Sequence, residues 1–202
     1  MKIAVNTRLL VKDKLEGIGW FTYENLKRIT RQQPEHQFYF IFDRGYSPEF
    51  IFSENVSPLF TGPQARHPVL YYLWFEHALP RIIKRIKPDV FLSPDGYLSL
   101  SVKDVPSVNV FHDLNFEHYP DDLPWFERKY YQHYFPKYAH HATRIATVSE
   151  FSKRDIIRQY GIAEDKIDVV YNGANEDFAP IPQKKIENTR SQYSDGKPYF
   201  FF

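Results

Sequence analysis

"RIATVSEFSKRDIIRQYGIAEDKIDVVYNG", residues 144–173, writes a strand, a helix and a second strand in succession. Arg144 to Val148 is a short apolar run of strand-forming residues. Ser149 then has the side chain of a helix N-cap, and Glu150 suits the positive end of the helix dipole. Gly161 suits the left-handed cap that ends such a helix. Lys166 to Tyr171 extends the chain again. A strand, crossover helix and strand of this kind predict a parallel sheet with right-handed connections.

The same alternation continues upstream. Strands are expected at Lys2 to Asn6, Gln37 to Phe42, Asp89 to Ser93 and Ser107 to Phe111. Several are continuous apolar runs, as in strands covered on both faces. A helix is expected from Ile18 to Arg31, with Ile18, Phe21, Thr22, Leu26 and Ile29 on its inner face. A second runs roughly from Tyr71 to Ile86, kinked or restarted at Pro80. A third runs from Trp125 to His141. The stretch from Gly45 to Arg66 follows no pattern and is taken as loop. The fold class is therefore α/β: a Rossmann-like domain with a mainly parallel sheet flanked by helices.

Ligands of such sheets bind outside the carboxyl ends of the strands. Those ends here read Asn6-Thr7-Arg8, Ser93-Pro-Asp95-Gly-Tyr97, His112-Asp113, Ser149-Glu150 and Asn172-Gly173. Polar residues and glycines converge on one edge, which carries more weight than any single motif. His112 can donate and accept protons near neutral pH. Asp113 is also an ordinary turn starter.

Composition sets the outer limits. The chain has 202 residues, 43% hydrophobic and 25% charged, as soluble globular proteins do. Aromatics reach 18%, and most large rings build core. The net charge of +1 gives no field that would gather nucleic acid. No cysteine is present, which excludes disulfides and thiolate metal sites and fits a cytoplasmic protein. The apolar stretch in "MKIAVNTRLL" is too short for a signal-peptide core, and no window approaches a span of ~20 apolar residues.

Gly17 and Gly19 stand between a strand and a helix, where backbone N–H groups can approach phosphate. A plain flexible turn explains them equally well. Thr22 occupies the third glycine position of the dinucleotide fingerprint, so no NAD site is expected. His112, Asp113 and His118 lack helical ligand spacing, and the adjacent His140 and His141 point apart, so no metal is expected. No phosphate-binding lysine motif or serine elbow occurs. "RIIKRIKP", residues 81–88, could rest on an anionic membrane, but a solvated helix face over the sheet is the better account.

After Phe178 the composition changes. "APIPQKKIENTRSQYSDGK", residues 179–197, is polar and weakly periodic, as linkers are. The expected division is a domain over 1–180 and, over 181–202, a linker leading to "PYFFF" as the first strand of a further domain.

Together "TRLL…GIGWFTYENLKRI", "KPDVFLSP", "NVFHDLNFEHYP", "RIATVSEFSKRDIIRQYGI" and "KIDVVYNGANEDFAP" resemble, in order, the GT-B glycosyltransferases of family 4. The resemblance spans Met1 to about Pro180. It implies a retaining, metal-independent enzyme that moves a sugar from a nucleotide-sugar such as a UDP- or GDP-sugar to a glycan or lipid-linked acceptor, with no further cofactor. This chain corresponds to the acceptor-side N-terminal half, and its partner would be a nucleotide-sugar-binding C-terminal domain. By the same resemblance Gly17 and Gly19 approach the donor phosphates, His112 is the catalytic residue beside the transferring sugar, and Ser149 faces the cleft from a helix N-terminus. Asp95, Tyr97 and Asp113 shape the acceptor pocket. The family leads to an expectation of cell-envelope polysaccharide synthesis in the cytoplasm, at most peripheral to the inner membrane face. A non-catalytic sugar- or nucleotide-binding α/β module is the alternative.

Overall fold

Among the described residues, seven strands form one sheet: β1 (Lys2–Asn6), β2 (Gln37–Phe42), β3 (Val56–Phe60), β4 (Val90–Ser93), β5 (Ser107–Phe111), β6 (Arg144–Thr147) and β7 (Ile167–Val169). Their order is β3-β2-β1-β4-β5-β6-β7, and every pair is parallel. The computed structural model describes residues 1–174 and 179–200. The sheet lies within one unit, Met1–Tyr171, and 172–202 is a second.

Both faces of the sheet are covered. Along β2, Phe38, Phe40 and Phe42 enter one core with Val5 and Leu26, while Ile41 enters the other with Ala4, Trp74 and Phe91. Continuous apolar runs follow from that double burial. Each such phenylalanine contributes on the order of 2 kcal/mol of transfer free energy. The aromatic surplus mostly builds core: Tyr97, Phe111, Tyr130, Phe135 and Tyr138 pack together beneath the carboxyl edge.

Helices α1 (Gly17–Gln32), α2 (Pro68–Leu73), α3 (Leu79–Ile86), α4 (Asn115–His118), α5 (Trp125–His141) and α6 (Glu150–Tyr160) belong to the same unit. The caps of α6 form as its sequence dictates. Ser149 accepts from Ser152 N, and Gly161 ends the helix at φ 64° with its N–H on Ile157 O.

Three expectations are corrected. β3 lies in the stretch taken as loop; its Pro58 disguises it, and an edge strand tolerates a residue that cannot donate. Of the expected inner face of α1, Thr22 and Leu26 are buried, joined by Gly19 and Thr30, whereas Ile18 and Phe21 are half-buried and Ile29 is 38% exposed. Threonine can be buried there because Thr22 and Thr30 donate to Ile18 O and Leu26 O, one turn back. The helix expected from Tyr71 to Ile86 begins at Pro68 and passes without a break through a π-helical turn at Trp74–Ala78 into α3, and Pro80, the expected kink or restart, stands just after that turn. In α3, Ile82 and Ile83 are buried and Arg81, Lys84 and Arg85 exposed, the arrangement of a solvated helix over a sheet.

In the second unit the stretch taken as a linker carries a helix, α7 (Gln183–Ser194). Pro182 at its N-cap and the helix-forming Gln183, Lys184, Lys185 and Glu187 account for it. Lys197 to Phe200 is not in a strand, and residues 201–202 of the expected strand lie outside the described residues. Among the described residues no helix is long and apolar enough to cross a membrane.

Candidate active site

A cleft of about 810 Å³ opens at the carboxyl edge, where the loops after β1, β2, β3, β4 and β5 meet the start of α1. It lies where the strand order turns back on itself, between β1 and β4, as expected for an open parallel sheet.

Its floor is ionic and internally hydrogen-bonded. Arg8, 7% exposed, donates from Nε to Asp95 Oδ2 at 2.6 Å and from Nη1 to Ala65 O at 3.4 Å. Its guanidinium lies 4.3 Å from the Tyr97 ring centroid and 5.4 Å from that of Tyr71. Asp95 Oδ1 accepts from Asn6 Nδ2 at 2.9 Å, Ser93 Oγ at 3.2 Å and Tyr97 N at 3.3 Å. Burial disfavours the Arg8 charge, but the Asp95 carboxylate outweighs it, so its pKa is raised. Burial also pushes the Tyr97 phenol well up, against the opposing Arg8, and Tyr97 donates to Tyr131 Oη at 2.9 Å. A buried pair needs further hydrogen bonds to survive, and here Asp95 accepts from four donors while Arg8 also reaches Ala65 O and rests on the Tyr97 ring.

His112 stands on the wall. Its Nε2 is 2.8 Å from Pro94 O; a carbonyl only accepts, so Nε2 carries the proton in that contact. The ring packs edge-on against Phe21 at 4.8 Å. Nδ1 has no protein partner among the described residues. The backbone is fixed from the other side, where Ser152 Oγ donates to His112 O at 3.1 Å and itself accepts from Ser149 Oγ at 3.0 Å.

The start of α1 forms the opposite wall. Glu16 at its N-cap makes no capping hydrogen bond, and Glu16 to Gly19 all line the cleft. The two glycines differ. A Cβ on Gly19 would sit 3.1 Å from Leu9 O, a tight contact in which that backbone would have to give way. A Cβ on Gly17 would meet nothing within 4 Å, so the protein itself does not require glycine there.

Of the residues singled out from sequence, His112, Gly17, Gly19, Asp95, Tyr97 and Asp113 all line this cleft. Asp95 and Tyr97 spend their polar atoms on internal partners. Asp113 is exposed, and its Oδ1 accepts from Asn115 N at 3.0 Å, starting α4. Ser149 is not in the lining; it acts on the cleft through Ser152 and His112. His118 pairs with Asp155 at 2.7 Å. Sequence reasoning overlooked Arg8, Lys14, Arg44 and Arg66 as lining residues. The position of Arg8 at the end of β1 was the one available signal.

Residues 15–178 match the family model described as Glycosyltransferase Family 4, and the chain belongs to that family. No curated protein matches it. Among solved structures, a glycosyltransferase from Rickettsia africae ESF-5 is 19% identical, with 98% of this chain and 50% of that one covered at a TM-score of 0.57. Anabaena Alr3699/HepE in complex with UDP and glucose is 15% identical, covering 96% and 50% at 0.62. UDP-GlcNAc 2-epimerase from Methanocaldococcus jannaschii is 16% identical, covering 84% and 45% at 0.51. Likeness at these identities establishes the fold alone, half of a GT-B architecture; the chain spans about half the length of these structures.

Proposed function

We propose that this chain is the acceptor-side half of a retaining, metal-independent glycosyltransferase that takes a UDP- or GDP-sugar and delivers the sugar to a glycan or a lipid-linked acceptor. The observation that carries the reading is the uncapped start of α1, open on the cleft, with a glycine at position 17 that packing does not demand. As the bond from the sugar to the diphosphate breaks, negative charge gathers on the phosphate oxygens. Backbone N–H groups and the positive end of a 16-residue helix are suited to hold that charge. His112 offers Nδ1 to a sugar hydroxyl across the same cleft, its ring held by Pro94 and Phe21. The complexes of HepE with UDP and with UDP-glucose support the choice of donor class.

The partner domain in this reading is a second α/β half that binds the nucleotide. The reaction belongs to envelope or surface polysaccharide assembly in the cytoplasm, with a galactosyltransferase of the lipopolysaccharide outer core among the structural neighbours. The test is a transfer assay on the uninterrupted reading frame that contains this chain, offering radiolabelled UDP- and GDP-sugars with and without a chelator. Label should move from one donor, at a rate the chelator leaves unchanged, and product NMR should show a retained anomeric configuration. Failure of every donor to bind or react would overturn the reading.

A further inference from the structure

Two guanidiniums are tied to one alanine, Arg8 directly and Arg44 through Asp43. Ala65 is 3% exposed; its O accepts from Arg8 Nη1 at 3.4 Å, and its N–H donates to Asp43 Oδ2 at 2.8 Å. Asp43 is also clasped by Arg44, Nε to Oδ1 at 2.7 Å and Nη2 to Oδ2 at 2.9 Å. Arg66 follows Ala65 directly. Arg8, Arg44 and Arg66 all line the cleft, with Lys14 from the loop after β1.

Charge around this hub does not balance. Asp95 answers Arg8 and Asp43 answers Arg44, each carboxylate nearly or wholly buried. Arg66 and Lys14 are exposed and have no ionic partner among the described residues. Of the other acids in the lining, Asp113 stands at the start of α4, and Glu16, two residues from Lys14 at the N-cap of α1, makes no ion pair with it. Ordinary surface cations sit on mobile stems over unconstrained backbone. Here the backbone at Ala65, next to Arg66, is held from both sides by buried charges, so only the Arg66 side chain has to be ordered when an anion binds.

The geometry points to an anionic acceptor: a sugar carrying a phosphate or carboxylate, its charge held by Arg66 and Lys14 beside Arg44. This rests on the transferase reading and adds the chemical class of the acceptor. A planar guanidinium suits either group through paired N–H donors. Arg44 and Arg66 come from the loops after β2 and β3 and Lys14 from the loop after β1, whereas His112 follows β5, on the other side of the switch point.

Calorimetric titration of the chain with glucose 1-phosphate, glucuronate, methyl glucoside and UDP tests it. Either charged sugar should bind at least about tenfold more tightly than methyl glucoside, and the stronger one identifies phosphate or carboxylate as the group. Arg66→Ala and Lys14→Ala should each remove about tenfold of that preference with an unchanged melting temperature, and added salt should weaken it. Equal binding of all three sugars, no binding of any, or indifference to both substitutions would overturn the proposal. Displacement of glucose 1-phosphate by UDP, with UDP sensitive to the same variants, would assign the cations to the donor and overturn it while leaving the transferase reading intact. Charged-sugar binding without transfer in the complete reading frame would sink the transferase reading instead.

Discussion

The floor and the walls of the cleft are built from the same residue types with opposite bookkeeping. On the floor, Arg8, Asp95, Asn6 and Ser93 are buried and joined to one another by hydrogen bonds, with both carboxylate oxygens of Asp95 occupied. On the walls, Arg66, Lys14 and His112 Nδ1 are open and unpartnered among the described residues. A polar residue at a strand end is therefore not a binding residue by position alone. Saturation marks the ones that hold the fold, and unmet capacity marks the ones free for a ligand.

Breaking the floor should cost most. Arg8→Ala leaves Asp95 buried without its cation, and about 3–5 kcal/mol of stability should be lost in urea denaturation. A loss under about 1 kcal/mol would mean that water reaches the pair and that the floor is not distinct from the walls.

Alkali probes the aromatic bed under the floor. Burial raises the pKa of Tyr97, Tyr130 and Tyr138 above the ordinary tyrosine value, while Tyr72 and Tyr119 are exposed. The unfolded chain ionises its tyrosines near pH ~10. The stability tied to the neutral buried phenols is thus complete below that pH and lost as pH rises through the raised values. Absorbance at the tyrosinate band should rise in two stages, exposed rings first and buried rings together with unfolding. A single stage centred near the ordinary value would contradict the burial.

The two glycines sharpen the contrast within one loop. Gly19→Ala meets Leu9 O and should cost about 1–3 kcal/mol by overpacking. Gly17→Ala meets open space and should change stability by no more than about 0.5 kcal/mol. In the complete enzyme, however, Gly17→Ala should raise the donor KM, because its Cβ occupies the approach to the helix N-terminus. Ser149→Ala comes between them in stability, losing the α6 cap at about 1 kcal/mol.

The sequence made some of this legible and hid the rest for physical reasons. The crossover at 144–169 could be read because its caps are local: Ser149 and Gly161 act within four residues of themselves. Five of the seven strands follow from apolar runs buried on both faces, and β7 was found, though placed longer than its three residues. β3 escaped because Pro58 argues against a strand unless the strand is known to be at an edge. On the inner face of α1, Thr22 and Leu26 were legible, but Thr30 was not, because its hydroxyl is buried by bonding back one turn. His112 was legible from its place at a strand end. Arg8 with Asp95 was not, since partners 87 residues apart meet only once the strand order is known. Nor was the Ala65 hub, which depends on backbone groups that carry no residue-specific signal.

One paired measurement tests the division most directly: melting temperature and transfer rate for Asp95→Asn and His112→Ala in the complete enzyme. Asp95→Asn should lower the melting temperature by several degrees, about 1 kcal/mol or more at this size. His112→Ala should stay within about 2 °C of the parent, as a partly exposed site allows, and lose at least about a hundredfold in rate. A His112→Ala enzyme that transfers at the parental rate, or an Asp95→Asn enzyme as stable as the parent, would contradict the account.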